Sequence, residues 1–114
     1  MLLINLKSAA YCTNTVTGPA LSNQEYPESY GSYTHTISPF TSGCDDEAYT
    51  YLVQYYDGSS YVALPSFITW TDATRTFAID SSSTSTLQTY PIYITGYLND
   101  LTENQVNFNI EIKA

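Results

Sequence analysis

Charged side chains are scarce in this sequence: Asp, Glu, Lys and Arg together make up 12% of its 114 residues. That is about half of the share found in an ordinary globular domain. Only Lys7, Arg75 and Lys113 are positive, and the formal net charge is -8. Because a chain of this sign repels polyanions, the sequence argues against nucleic acid and anionic membrane surfaces as partners.

Long apolar runs are missing as well. The first four residues, MLLI, are apolar, but Asn5 and Lys7 interrupt the run at once. A signal peptide needs an apolar stretch of about 7–15 residues, and a membrane-spanning helix needs about 20. We therefore predict no membrane insertion by this chain. If the protein is secreted, its signal lies outside this sequence.

Cysteine and histidine are almost absent, since Cys12, Cys44 and His35 are the whole inventory and no C-x-x-C occurs. A metal site built from these two residue types is thereby excluded in practice. We predict a disulfide between Cys12 and Cys44, with two free buried thiols as the alternative. Closing a loop of about 30 residues would contribute roughly 3–4 kcal/mol by the chain-entropy estimate.

The usual signatures of catalysis are not present either. His35 is not accompanied by a G-x-S-x-G elbow or another nucleophile motif, so we predict a strand-surface residue rather than a catalytic one. Asp45, Asp46 and Glu47 form one dense carboxylate cluster, and calcium is the only ion it suggests. Successive residues of an extended chain point to opposite faces, which favours a solvated loop there. We predict no enzymatic activity and no cofactor.

Hydroxyl and amide side chains, rather than charged ones, make the surface of this protein hydrophilic. A surface of this composition is commoner in extracellular proteins than in intracellular ones. We therefore predict an extracellular or cell-surface location and favour the disulfide. No Asn-x-Ser/Thr acceptor occurs, so any glycan would be O-linked. The candidate O-glycan loop is the polar run Ser81, Ser82, Ser83, Thr84, Ser85 and Thr86.

Apolar residues alternate with polar ones along most of the chain, which is the signature of strands rather than helices. Turn residues such as those of Asp57-Gly58 separate the runs, and Gly96 within a strand indicates a bulge or a close approach of another backbone segment. We predict a single all-β domain over 1–114, a two-sheet antiparallel sandwich of about seven to eight strands. The predicted strands are 2–9, 20–25, 32–38, 48–56, 67–70, 75–80, 88–98 and 104–113.

The two ends of the chain resemble each other. INLKS at 4–8 and IEIKA at 110–114 both read apolar, polar, apolar, Lys, small. Either the segment 1–9 takes the place of a preceding unit's last strand, as in a tandem array, or it is an extra strand of this domain. The candidate residues for linking units are Leu3, Ile4, Leu6, Ile110 and Ile112.

One region carries a family resemblance. LPSFITW at 64–70 is followed by TRTFAI at 74–79 and, after a polar loop, by TYPIYITG at 89–96. This pattern resembles Ig-like, cadherin-like domains found in tandem in large extracellular proteins of protists, ciliates especially, and of some bacteria. The resemblance covers roughly residues 20–113 and implies an Ig-like sandwich, export and a role in surface coats, adhesion or filaments. The acidic calcium motifs of cadherins are not found.

Two functions follow from these observations. The leading one is a structural building block of an extracellular tandem or filamentous assembly, whose partners are copies of itself or neighbouring domains of the same chain. The alternative is a carbohydrate-binding or cell-surface recognition module, because 12 tyrosines and one tryptophan offer aromatic faces for glycans.

Overall fold

The computed structural model describes residues 15–27, 31–42, 49–80, 87–98 and 102–113. These residues form β-strands and turns, with no helix within the described ranges. The ten strands, in chain order, are β1 (Val16–Thr17), β2 (Gln24–Pro27), β3 (Ser32–Thr36), β4 (Thr41–Ser42), β5 (Thr50–Tyr56), β6 (Tyr61–Val62), β7 (Ile68–Thr71), β8 (Thr76–Asp80), β9 (Thr89–Tyr97) and β10 (Glu103–Lys113).

The strands form two main sheets and one short pair. One sheet has five strands in the order β2-β10-β9-β5-β6, and the other has three in the order β3-β8-β7. The short pair joins β1 to β4. Every pairing is antiparallel except that of β2 with β10, which is parallel. The predicted two-sheet sandwich is therefore confirmed, but it has three additional two-residue strands and one parallel pair.

Aromatic side chains join the two sheets across the core. Phe77 of β8 is completely buried. Its ring centroid lies 4.7 Å from that of Trp70 on the neighbouring strand β7 and 5.5 Å from that of Phe108 on β10 of the facing sheet. Similar contacts link Tyr26 to Tyr33 at 4.6 Å. Aromatic pairs at these separations stabilise a core beyond the area that they bury. The fully buried residues beside them come from the alternating positions of β8, β9 and β10: Ile79, Ile92, Ile94 and Ile110.

Gly96 lies in β9 because a ring occupies the space that its side chain would take. A Cβ placed on this glycine would be 2.8 Å from Cδ2 of Phe40, a buried ring. The register of β9 continues through Gly96 to both neighbouring strands without an extra residue. Both interpretations of this glycine are therefore wrong: β9 has no bulge there, and the close neighbour is the side chain of Phe40 rather than another stretch of backbone.

The predicted turn at Asp57-Gly58 closes the β5–β6 hairpin. Oδ1 of Asp57 accepts hydrogen bonds from the backbone N–H groups of Ser59 and Ser60, both at 2.9 Å, and from the Ser59 hydroxyl at 3.0 Å. Gly58 has a φ of 103°, a conformation that glycine adopts at little cost. The hydrogen bonds from Ser60 and Ser59 lower the pKa of the Asp57 carboxyl below its ordinary 3.8.

This turn gives a pH-dependent prediction. Because the pKa of Asp57 is lower in the folded than in the unfolded chain, its stabilising effect is present above about pH 4 and is lost as the pH falls through the folded value. Asp57→Asn keeps an Oδ1 acceptor but does not titrate, so its unfolding midpoint should fall less steeply on acidification. Urea unfolding at a series of pH values below 5 measures this, with Glu103→Gln as a control at an exposed carboxylate. Equal acid slopes for wild type and Asp57→Asn would contradict the prediction.

A second turn connects β7 to β8 and is attached to the end of β3. The indole N–H of Trp70 donates to the carboxylate of Asp72, and the backbone N–H of Arg75 donates to the Asp72 carbonyl at 3.3 Å. Arg75 Nε donates to the carbonyl of Ile37 at 3.1 Å, and the N–H of Ile37 donates to the Arg75 carbonyl at 3.0 Å. These bonds hold the turn against the segment that follows β3.

Candidate functional site

Most of the site residues predicted from the sequence lie outside the described residues. This holds for the carboxylate cluster, the cysteine pair, the apolar residues near the start and the candidate glycan loop. Their predicted roles as calcium ligands, disulfide, linking strand and O-glycan acceptors therefore stay predictions. The residues concerned are Asp45, Asp46, Glu47, Cys12, Cys44, Leu3, Ile4, Leu6, Ser81, Ser82, Ser83, Thr84, Ser85 and Thr86.

Ile110 and Ile112 are described, and both belong to the core of this domain. Their side chains are 0% and 2% exposed. Ile110 lies opposite Gln24 of β2 on one side and Tyr90 of β9 on the other. Ile110 and Glu111 are thus paired on both sides, whereas Ile112 and Lys113 are in register with β2 alone, with one further hydrogen bond from the Ile112 N–H to the Gln88 carbonyl.

Ionisable groups do not converge in the described part of the chain. No group of three or more His, Cys, Asp or Glu side chains within it is placed to hold a metal ion. His35 is half-buried on β3, with its ring 5.5 Å from that of Phe108. Partial burial lowers the pKa of His35, which favours the neutral imidazole. The ring is packed against the core, so it is less exposed than the surface position that we predicted.

The outer face of the five-stranded sheet carries a cluster of three tyrosines, Tyr56, Tyr61 and Tyr93, here called the tyrosine cluster. The Tyr61 ring lies 5.1 Å from Tyr56 and 4.9 Å from Tyr93. Tyr61 remains 48% exposed although it contacts both rings. Partial desolvation, followed by the nearby Tyr93 hydroxyl, raises the pKa of the Tyr61 phenol. The Tyr61 phenol is protonated at neutral pH even at its ordinary pKa, so its hydroxyl can donate a hydrogen bond there.

Uncharged polar residues lie beside the tyrosine cluster. Gln54 and Asn107 flank Tyr93 in register, one on each neighbouring strand. Directly opposed residues share a face of the sheet, and so do residues two apart along a strand. Asn107 is therefore the middle member of an amide row along β10 that also contains Gln105 and Asn109. Gln105 Nε2 donates to the Thr95 hydroxyl at 3.1 Å.

Val16 and Lys113 lie at opposite ends of β10. The side chain of Asn104, near the start of β10, donates to the carbonyl of Val16 at 2.9 Å. Lys113, at the other end of the same strand, binds Glu25 of β2 at 3.0 Å. Asn104 and Lys113 are nine positions apart along the chain, which corresponds to roughly 30 Å in an extended strand.

Comparison with solved structures shows the class of fold. The chain is similar to the PKD domain of the KIAA 1837 protein, with a TM-score of 0.52 and 19% identity over 85% of this chain and 87% of that one. It is also similar to the M4 domain of titin, with a TM-score of 0.55 and 13% identity over 90% of this chain and 97% of that one. This protein therefore contains an Ig-like β-sandwich. Identities this low show the fold and nothing about ligands.

Comparisons of the sequence itself return no relatives: no family model matches it, and no curated protein matches it. In the described ranges no helix is long and apolar enough to cross a membrane. The similarity covers at least 85% of this chain and at least 87% of each similar structure, so it extends over most of the sandwich.

Proposed function

We propose that this protein is a non-catalytic, extracellular building block that is joined end to end with copies of itself or with similar neighbouring domains. The observation that supports this most directly is the position of Val16 and Lys113 at opposite ends of β10. Domains whose chain enters at one end and leaves at the other can follow one another in a line without a long connection.

The burial of Ile110 and Ile112 suggests how the units are joined. Removing β10 from its sheet would expose Phe108, Ile110 and Ile112, each at most 3% exposed. At this end the proposal therefore requires that β10 stays in its own domain. The segment 1–9, which repeats the pattern of residues 110–114, then provides the contact with the preceding unit.

The mass of the denatured polypeptide from its source tests the proposal first. A mass many times that of a 114-residue chain would support covalent tandem linkage. A mass near that of one chain would require association through 1–9, which light scattering of the purified protein measures. In that case Ile4→Asp should abolish association, whereas Asn5→Asp, which adds the same charge at a polar position, should retain it. A single-chain mass together with a protein that stays monomeric would contradict the proposal.

A further inference from the structure

We propose that the tyrosine cluster and the amide row of β10 form a binding face for a neutral polysaccharide. This site is separate from the end-to-end linkage, because it lies on the outer face of the sheet rather than at either end of β10. The inference begins with Tyr61, which exposes nearly half of its surface in spite of two aromatic neighbours. An exposed aromatic group surrounded by polar residues is a common feature of binding sites.

The chemistry of the face selects the ligand. The tyrosine rings offer apolar surfaces that can cover the C–H faces of sugar rings, and their hydroxyls offer polar edges. Each amide of the row has both a donor and an acceptor, which suits the hydroxyl groups of a sugar. Gln54 and Asn107, one on each side of Tyr93, place such amides directly beside an aromatic ring.

The distribution of charge restricts the ligand further. The residues that pair with Tyr93 and Thr95 on the two neighbouring strands, which form two cross-strand rows, are all uncharged: Gln54 and Asn107 beside Tyr93, and Leu52 and Gln105 beside Thr95. Three carboxylates, those of Asp57, Glu103 and Glu111, border the face along the chain, and the one cation beside them in the described residues, Lys113, is already paired with Glu25. A bound anion would lack a cationic partner within these rows and would be repelled by the borders. A neutral polysaccharide needs no cationic partner and is not repelled by the carboxylates.

The shape of the face fits an extended chain. It crosses four neighbouring strands, β6, β5, β9 and β10, which are spaced about 4.8 Å apart. Leu52, 42% exposed, continues the apolar surface along β5 beyond Gln54. A sheet face of this breadth can contact several consecutive sugar rings, so the ligand is a polymer rather than a monosaccharide.

Affinity electrophoresis of the purified full chain tests the site. Native gels would contain xyloglucan, mixed-linkage β-glucan or galactomannan as neutral probes, and alginate as an anionic probe. We expect retardation by at least one neutral probe and none by alginate. Tyr61→Ala should weaken binding about tenfold or more, as truncation of a central aromatic contact does. Asn107→Ala should weaken it less.

The matched control is Tyr97→Ala, which removes a tyrosine from the same face of β9 but beside Glu103 and away from the cluster. It should change the retardation by less than about threefold. The proposal would be overturned if no neutral probe retards the protein, if only alginate does, or if Tyr61→Ala and Tyr97→Ala behave alike. Concentration-dependent dimerisation that Tyr61→Ala abolishes, without binding to any probe, would assign the face to a second copy of this chain instead.

Discussion

Replacing Phe77 by alanine should lower the free energy of unfolding by about 3–5 kcal/mol. Phe77 has no exposed surface and contacts Trp70 within its own sheet and Phe108 in the facing sheet. Truncation would remove both ring contacts and leave a cavity between the sheets, and strands paired on both sides cannot close such a cavity easily. Urea unfolding followed by tryptophan fluorescence measures the change.

Such a loss approaches the whole stability of a small domain, about 5–15 kcal/mol, so a milder variant has to accompany Phe77→Ala. Phe77→Leu keeps most of the volume and should cost less than about 1.5 kcal/mol. Leu87→Ala is the control at an apolar side chain that is 41% exposed, and it should change stability by no more than about 0.5 kcal/mol. Equal effects of Phe77→Ala and Leu87→Ala would show that Phe77 is not at the centre of the core.

Gly96→Ala should also destabilise the fold, by about 1–3 kcal/mol, although alanine is normally the better residue within a strand. Removing the conformational freedom of glycine favours alanine by only about 0.5–1 kcal/mol. The opposing term is the overlap of the new methyl group with Phe40 at 2.8 Å. The Phe40 ring cannot retreat freely, because it also lies against Tyr51 at 5.6 Å and beside Gly18.

A double-mutant cycle separates this contact from other effects. Phe40→Leu removes the ring atoms that the alanine methyl group would meet, so the double variant should lose less stability than the sum of the two single variants. Residues in contact typically show coupling of about 0.5–3 kcal/mol, which equilibrium unfolding resolves. Additive losses would mean that the Phe40 ring is not the reason for glycine at this position.

The strands that could be predicted are those in which apolar and polar residues alternate over many positions. In β9 and β10 the buried positions Ile92, Ile94, Phe108 and Ile110 fall where period-two spacing places them. The second predicted strand, 20–25, is displaced to Gln24–Pro27. That segment has no sustained alternation, so its strand is determined by pairing with β10, a partner more than 80 residues away.

The short strands and the parallel pair could not be predicted for the same reason. β1, β4 and β6 are two residues each, which is too short for a periodic signal. Their pairing depends on distant neighbours, as does the parallel alignment of β2 with β10. Local sequence does not encode which strands become neighbours, so the sandwich could be predicted but not its order.

The tyrosine cluster was only partly accessible from the sequence. Alternation in β5 separates Tyr51, Val53 and Tyr55 from Leu52, Gln54 and Tyr56, but both sets contain apolar residues. Only packing against Phe40 and Trp70 makes Tyr51 an inward residue. The amide row gave a clearer signal, because Asn107 and Asn109 alternate with Phe108 and Ile110 and therefore point away from the core.

The parallel pairing of β2 with β10 has a consequence for a linear assembly under load. In the proposed array, tension would act through Val16 at one end of β10 and through Lys113 at the other. Since Gln24–Pro27 and Ile110–Lys113 run side by side in the same direction, such a force would act along the strands. The hydrogen bonds between them would be loaded together in shear rather than opened one after another, so the β2–β10 pair would resist extension in the direction in which the proposed array is pulled.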